Sequence, residues 1–307
     1  MTSADDVKAV VAIFGPTASG KTAVAEALAD RTGGDVVSAD SMQVYRGVPV
    51  LTAQPTRPTR LVAIWPLSHE ASVAEYARLA HAEIDGLLAG GRLPIVAGGT
   101  GLYLRAALAE LHLPPAPAAG VRERWERVYQ DRGAQHAHAL LAERDPAAAA
   151  AVHPNDRRRV VRALELTELG ASLRPSHPRL WTDETRHPTL IFGLDLAKEE
   201  LDRRIEERAR AMVAAGALDE ARRAAAGRLS ETARHIHGLR DFAELPLEEA
   251  LDALIARTRR FAAYQRKWMR RIPGLVTVEA NRSPGDIADE ILEVARARQH
   301  VRTRRAG

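Results

Sequence analysis

Short apolar runs recur along this chain at Ala9–Phe14, Asp35–Ala39, Arg60–Pro66, Leu93–Ala97 and Thr189–Leu194, and each reads as a strand. The stretches between them are mostly helical in period. Val73 to Leu88 places Val73, Tyr76, Ala77, Ala80, Ile84, Leu87 and Leu88 on one side of a helix. Ala23 to Arg31 reads as another. Strands alternating with helices predict an α/β fold, a mostly parallel sheet with helices on both faces.

The alternation is interrupted once. Leu113 to Ala119 is rich in Pro and Ala, Arg122 to Gly170 is helical without strands, and Arg174 to Pro188 is a Pro- and His-rich connector. The pattern predicts a helical insertion domain over 113–188 within a core formed by 1–112 and 189–307. No internal repeat is present, and the Ala147–Ala151 run is low complexity within a helix.

Composition narrows the class. With 307 residues the chain can bury a large core in one or two domains. No signal pattern and no long apolar span is found, so a cytoplasmic protein without a membrane partner is expected. Zero Cys excludes disulfides and thiolate metal sites, and the eleven His show no metal-ligand spacing. Net charge is only +4, but it is unevenly distributed. Leu254 to Arg271 holds Arg257, Arg259, Arg260, Arg266, Lys267, Arg270 and Arg271 and no acid. Read as a helix, it buries Leu254, Phe261, Trp268 and Ile272, with Thr258 and Gln265 between them. Arg157, Arg158, Arg159 and Arg162 form a second cluster. A solvated helix mixes charge signs, whereas a helix of one sign tends to meet a polyanion. The basic tail from Arg296 to Arg305 is read as a solvated face.

Chemistry enters at Gly15-Pro16-Thr17-Ala18-Ser19-Gly20-Lys21-Thr22, which fits G-x-x-x-x-G-K-[ST] between a strand and a helix. Glycines let the loop wrap closely, and successive backbone N–H groups converge on phosphate oxygens at a helix N-terminus. Lys21 reaches a terminal phosphate in such a loop, and the Thr22 hydroxyl ligates Mg²⁺. With its flanks, the motif predicts a P-loop NTPase-like sheet. Two further motifs follow strands. Asp40, in Ser38-Ala39-Asp40-Ser41-Met42-Gln43, could hold a metal, orient an amine or accept a proton, or merely cap a turn. Gly98-Gly99-Thr100-Gly101 permits close approach of a ligand and offers a hydroxyl.

Together, GPTASGKT, ADSMQVYRG, GGTGLYLRA, HPNDRRRVVRALEL and TRRFAAYQRKWMRR resemble, in order and spacing, the tRNA dimethylallyltransferase (tRNA isopentenyltransferase) family in its bacterial form. The resemblance covers about Val10 to Arg271. It implies transfer of a dimethylallyl group from dimethylallyl diphosphate to N6 of the adenosine 3′-adjacent to the anticodon, with release of diphosphate. The phosphate loop would then hold the donor's diphosphate and not ATP. The resemblance implies that Asp40 takes the N6 proton, that Thr100 lies beside the reacting groups and that Arg208 contacts the diphosphate. It assigns tRNA contact to Asp40, Ser41, Met42, Gln43, Thr100, Arg122, Arg158, Arg159, Arg162, Gln265, Arg266 and Arg270, and to Arg234–Leu239. Tyr264 and Trp268 could stack on bases, although Trp268 equally completes the apolar stripe. A monomer is expected.

The chain departs from the family pattern in places. Gln54 stands where the family has Lys in T-A-K-P, and the paired histidines of P-H-H-L are missing around Arg60–Val62. His237-Gly238-Leu239 replaces I-G-Y, and Tyr264 replaces an Arg. Three rival functions compete: a P-loop small-molecule kinase, a non-catalytic RNA binder, and prenylation of a free adenine nucleotide. The kinase leaves both basic segments without a role.

Overall fold

The computed structural model describes residues 9–111, 113, 120–173 and 180–305. Within the expected boundary and connector, residues 114–119 and 174–179 lie outside that description, as do the tail's side chains from 299 onward. In chain order the elements are β1 (Val10–Phe14), α1 (Lys21–Thr32), β2 (Asp35–Ser38), α2 (Val73–Ala89), β3 (Pro94–Gly98) and α3 (Gly101–Leu108). Four helices follow: α4 (Val121–Arg132), α5 (Ala134–Arg144), α6 (Pro146–Ala151) and α7 (Arg157–Glu168). The chain then forms β4 (Thr189–Asp195), α8 (Lys198–Ala214), α9 (Ala217–Ala225), α10 (Leu239–Glu244), α11 (Leu247–Met269), β5 (Val276–Glu279) and α12 (Pro284–Arg305).

The strands form one parallel sheet in the order β2-β3-β1-β4-β5. β1 and β3 are buried at every residue, as central strands covered on both faces must be. The two-residue period of β1 divides its side chains. Val10, Ala12 and Phe14 join the core that includes Tyr76, Leu104, Phe242 and Leu254, whereas Val11 and Ile13 join that of Leu28, Ile205, Ile287 and Ile291. Because β2 lies beyond β3 and β4 lies on the other side of β1, connections leave the centre in opposite directions. The loops after β1, β2 and β3 therefore gather at one carboxyl-end crevice.

Two expectations about strands are corrected. Arg60–Pro66 is not a strand: it makes only isolated bridges, Arg60 with Val37 and Trp65 with Tyr45. Leu61 (φ 63°) and Ala63 (φ 53°) adopt left-handed backbone, which breaks an extended run despite its apolar composition. Conversely, β5 has only Val278 buried, so it is a half-exposed edge strand with no apolar run to mark it.

The chain divides into two compact units, Met1–Glu110 with Asp183–Gly307, and Leu111–Thr182. Residues 183–188 belong to the first because they are tied there. Arg186 pairs with Asp85 and Glu110, His187 with Asp85, and Val10 N–H donates to Pro188 O. The second unit is helical with its own core of Trp125, Leu141, Val152, Val160 and Leu164. Asp145 and Asp156 cap its helices α6 and α7 by accepting the N–H groups of Ala148 and Arg159.

Candidate active site

The loop after β1 bends tightly: Ser19 N–H donates to Pro16 O, and Ala18 (φ 63°) and Gly20 (φ 90°) are both left-handed. No side chain caps α1, so its first-turn N–H groups can serve an anion, with the helix dipole behind them. Ser19 Oγ is buried without a hydrogen-bond partner among the described residues, as expected of a hydroxyl reserved for a ligand oxygen. Lys21 Nζ donates to Pro16 O at 2.7 Å. Burial brings Lys21 down to about 8, opposed by Asp40 and reinforced by Arg208. Thr22 is exposed in the first turn of α1.

The loops after β2 and β3 are tied together. Ser41 N–H donates to Thr100 Oγ1 at 3.2 Å, and the two hydroxyls share a further 3.2 Å bond. Asp40 Oδ1 accepts the Met42 N–H at 2.9 Å, which turns the loop. The glycine motif exists because neighbours press on it. A Cβ on Gly98 would lie 2.0 Å from Ala39 O, one on Gly99 2.2 Å from Gln265 Nε2, and one on Gly101 2.2 Å from the Trp268 ring.

Helices α8 and α11 complete the site. Arg208 Nη1 donates to Thr17 Oγ1 at 3.0 Å. Burial lowers Arg208, and Asp40 counteracts it. Arg203 and Arg204 pair with Glu200, and Arg210 pairs with Glu206, so of these four arginines Arg208 is the one bonded to the phosphate loop. One cavity is lined by the polar residues Thr17, Asp40, Thr52, Arg208, His237 and Thr258 and by the apolar residues Met42, Leu51, Ile205, Ala209, Met212, Leu254 and Phe261. Glu220 anchors the Leu51 side by accepting the Val50 and Leu51 N–H groups at 3.0 and 2.7 Å.

Several residues expected to meet RNA have partners within the chain. Gln265 is 2% exposed, and its amide joins Thr17 N–H and Gly99 O. It stands in the buried stripe of α11 with Leu254, Ala262 and Met269, not between its members. Gln43 bonds Ser38 Oγ and Ala53 O. Arg122 and Arg162 both bond the fully buried Glu165, at 2.8 and 2.9 Å, and Arg266 pairs with Asp195 at 3.1 Å. Ile236 and Leu239 are core, and His237 alone of Arg234–Leu239 lines the cavity. Arg158, Arg159, Arg260, Lys267 and Arg270 are exposed and form no ion pair among the described residues. Tyr264 is 55% exposed on the same helix, edge-on to Trp268, which packs on Gly101. Gln54 turns to the backbone, donating to Tyr45 O at 2.7 Å.

Sequence reasoning missed Gln265 as a clamp, Glu220 as an anchor and the cavity-lining role of His237. The Gln265 signal was readable: a polar amide at an apolar stripe position must find buried partners. Glu220 carried no such signal, because its partners lie on a loop 170 residues away.

The cavity lies inside a known family pattern. Residues 43–272 match the model described as IPP transferase, and residues 8–60 match that of isopentenyl transferase. The chain belongs to the IPP transferase family. Thr17, Asp40 and Met42 of the cavity fall within the isopentenyl transferase match, and the other lining residues within the IPP transferase match. Among curated relatives, the tRNA dimethylallyltransferase of Streptomyces coelicolor is 42% identical, covering 89% of this chain and 91% of its own. That of Anaeromyxobacter sp. (strain K) is 41% identical over 92% and 97%. The crystal structure of the full-length tRNA isopentenylpyrophosphate transferase from Bacillus halodurans superposes with a TM-score of 0.70 at 31% identity, covering 98% of this chain and all of that one. A eukaryotic dimethylallyltransferase shares the fold, with a TM-score of 0.72 at 24% identity.

Proposed function

We propose that this family member transfers the dimethylallyl group of dimethylallyl diphosphate to N6 of the adenosine 3′-adjacent to the anticodon of tRNA, releasing diphosphate. One observation carries the reading: the phosphate-loop residue Thr17, Asp40 and Arg208 share a cavity that is also lined by the apolar side chains of Leu51, Ile205, Met212, Leu254 and Phe261. Such apolar side chains suit the hydrocarbon of an allylic donor. The names of the curated relatives support the same chemistry.

Each group then has a task. As the allylic C–O bond breaks, Lys21, Arg208 and the loop N–H groups stabilise the charge on the departing diphosphate. Thr22, whose hydroxyl makes no hydrogen bond among the described residues, suits Mg²⁺, which takes few protein ligands and otherwise binds water and phosphate oxygens. No group of three or more His, Cys, Asp or Glu suited to a metal occurs among the described residues. Bound there, Mg²⁺ neutralises diphosphate charge. Asp40 accepts the N6 proton as N6 bonds to the allylic carbon. Thr100 holds the Asp40 loop through Ser41. The exposed Arg158, Arg159, Arg260, Lys267 and Arg270 serve RNA phosphates, offsetting the cost of about a few kcal/mol to unstack the adenosine.

Incubation with dimethylallyl diphosphate and either total tRNA or AMP, followed by nucleoside mass analysis, tests this. Prenylated adenosine is expected from tRNA and not from AMP. Asp40→Asn should retain both affinities and lose most of the rate, because Asn cannot take the proton. Robust prenylation of AMP that ignores salt would overturn the tRNA reading.

A further inference from the structure

His237 lines the cavity together with Asp40, Arg208 and Phe261, and the reaction as derived above gives it no task. It precedes α10, between the buried Ile236 and Leu239. Its ring meets Phe261 of α11 edge-to-face, with centroids 4.9 Å apart and planes at 87°. Phe261 lines the same cavity. Charged groups on four separate segments act on the imidazole: Arg257 on α11, Asp40 after β2, Asp241 on α10 and Arg208 on α8.

We propose that His237 and Phe261 form an uncharged aromatic wall for the allylic carbons, and that protonation of His237 halts prenyl transfer. The inference rests on the prenyl-transfer reading. In that reaction the C–O bonding pair leaves with diphosphate, the N6 lone pair forms the new N–C bond, and the N6 proton passes to Asp40. His237 neither gives nor takes a proton. Positive charge spreads over the allylic carbons between bond breaking and bond making. Neutral ring faces favour a neighbouring cation, whereas an imidazolium at the same place opposes it. The surroundings keep the ring neutral: burial depresses His237 below the ordinary histidine value, Arg257 adds to this, Asp40 and Asp241 oppose it, and Arg208 lowers it again.

Two measurements test the wall. The first is kcat, and KM for dimethylallyl diphosphate, at saturating anticodon-arm RNA between about pH 5 and 8.5. The parent enzyme should lose kcat by about tenfold per pH unit below the His237 midpoint. His237→Gln and His237→Phe, neutral throughout, should lack that acid limb. An acid limb retained unaltered in both variants overturns the proposal. The second measurement uses the unsubstituted protein with an unreactive dimethylallyl thiolodiphosphate. Nuclear Overhauser contacts between the His237 ring and the ligand's methyl protons are expected. A bound analogue without them sinks the wall and leaves the prenyl-transfer reading standing. Failure of the analogue to bind at all removes that reading and the wall with it.

Discussion

Thr17 and Gln265 lie 248 positions apart and are joined by a 2.7 Å hydrogen bond from the Thr17 N–H to the Gln265 side-chain oxygen. The same amide donates to Gly99 O at 2.8 Å, so one side chain clamps the phosphate loop to the glycine motif. Gln265→Ala would leave the part-buried Thr17 N–H and the buried Gly99 O without this partner, and a buried group left unpaired costs about 1–3 kcal/mol. We expect a lower melting temperature and weaker binding of inorganic diphosphate, with little change in affinity for an anticodon arm. Calorimetry with each ligand checks this. Loss of RNA affinity alone would mean that Gln265 reads RNA and not the loop.

Lys21 gives the donor site a pH dependence. Its value of about 8 means that the ammonium is intact below that pH and is lost as pH rises through it. Binding of an unreactive allylic thiolodiphosphate should therefore weaken between about pH 7 and 9 in the wild type. Lys21→Arg, charged throughout, should flatten that decline. Lys21→Ala should lower turnover by about 10²–10³-fold while sparing tRNA affinity.

The arginines of the helical unit should separate into two groups. Arg158 and Arg159 are exposed without ion pairs among the described residues. Replacing both with Ala should reduce the salt slope of log tRNA affinity by roughly 0.7–0.9 per lost phosphate contact, with the melting temperature unchanged. Arg162 bonds the buried Glu165, so Arg162→Ala should lower the melting temperature, because a buried carboxylate loses a partner. Salt titrations and thermal melts of both variants distinguish them. An unchanged slope in the double variant would remove the helical unit from RNA binding.

Gly101 should resist substitution for a steric reason. An added Cβ would approach the Trp268 ring to 2.2 Å, and overpacking of that kind costs about 1–3 kcal/mol or more. Gly101→Ala should lower the denaturation midpoint and, through the neighbouring Thr100, also the rate. A wild-type midpoint would show that Trp268 moves aside freely.

Much was legible before any fold was known. The P-loop motif lies between β1 and α1 as its flanks required, and β1 and β3 are buried at every residue. These features are local: periodicity and turn geometry are written within about a dozen residues. The family resemblance likewise rested on short ordered motifs. Arg60–Pro66 shows where local reading stops. Its composition is that of a strand, but hydrogen bonds to Val36, Ser38 and Gln43 hold it as a bent connector with left-handed residues.

What the sequence by itself determined was the central strands and the helices that flank them, the phosphate loop and the presence of two basic segments. Only the tertiary structure decided which polar side chains work together. Four arginines on α8 look alike in sequence, and Arg208 differs from the others because its turn of the helix faces Thr17. Glu220 looks like a surface residue until the fold buries it against backbone N–H groups of a distant loop, and the partners of Gln265 come from two other loops. A buried polar group must be paired, and its partner is chosen by how elements pack, which no local stretch of sequence encodes.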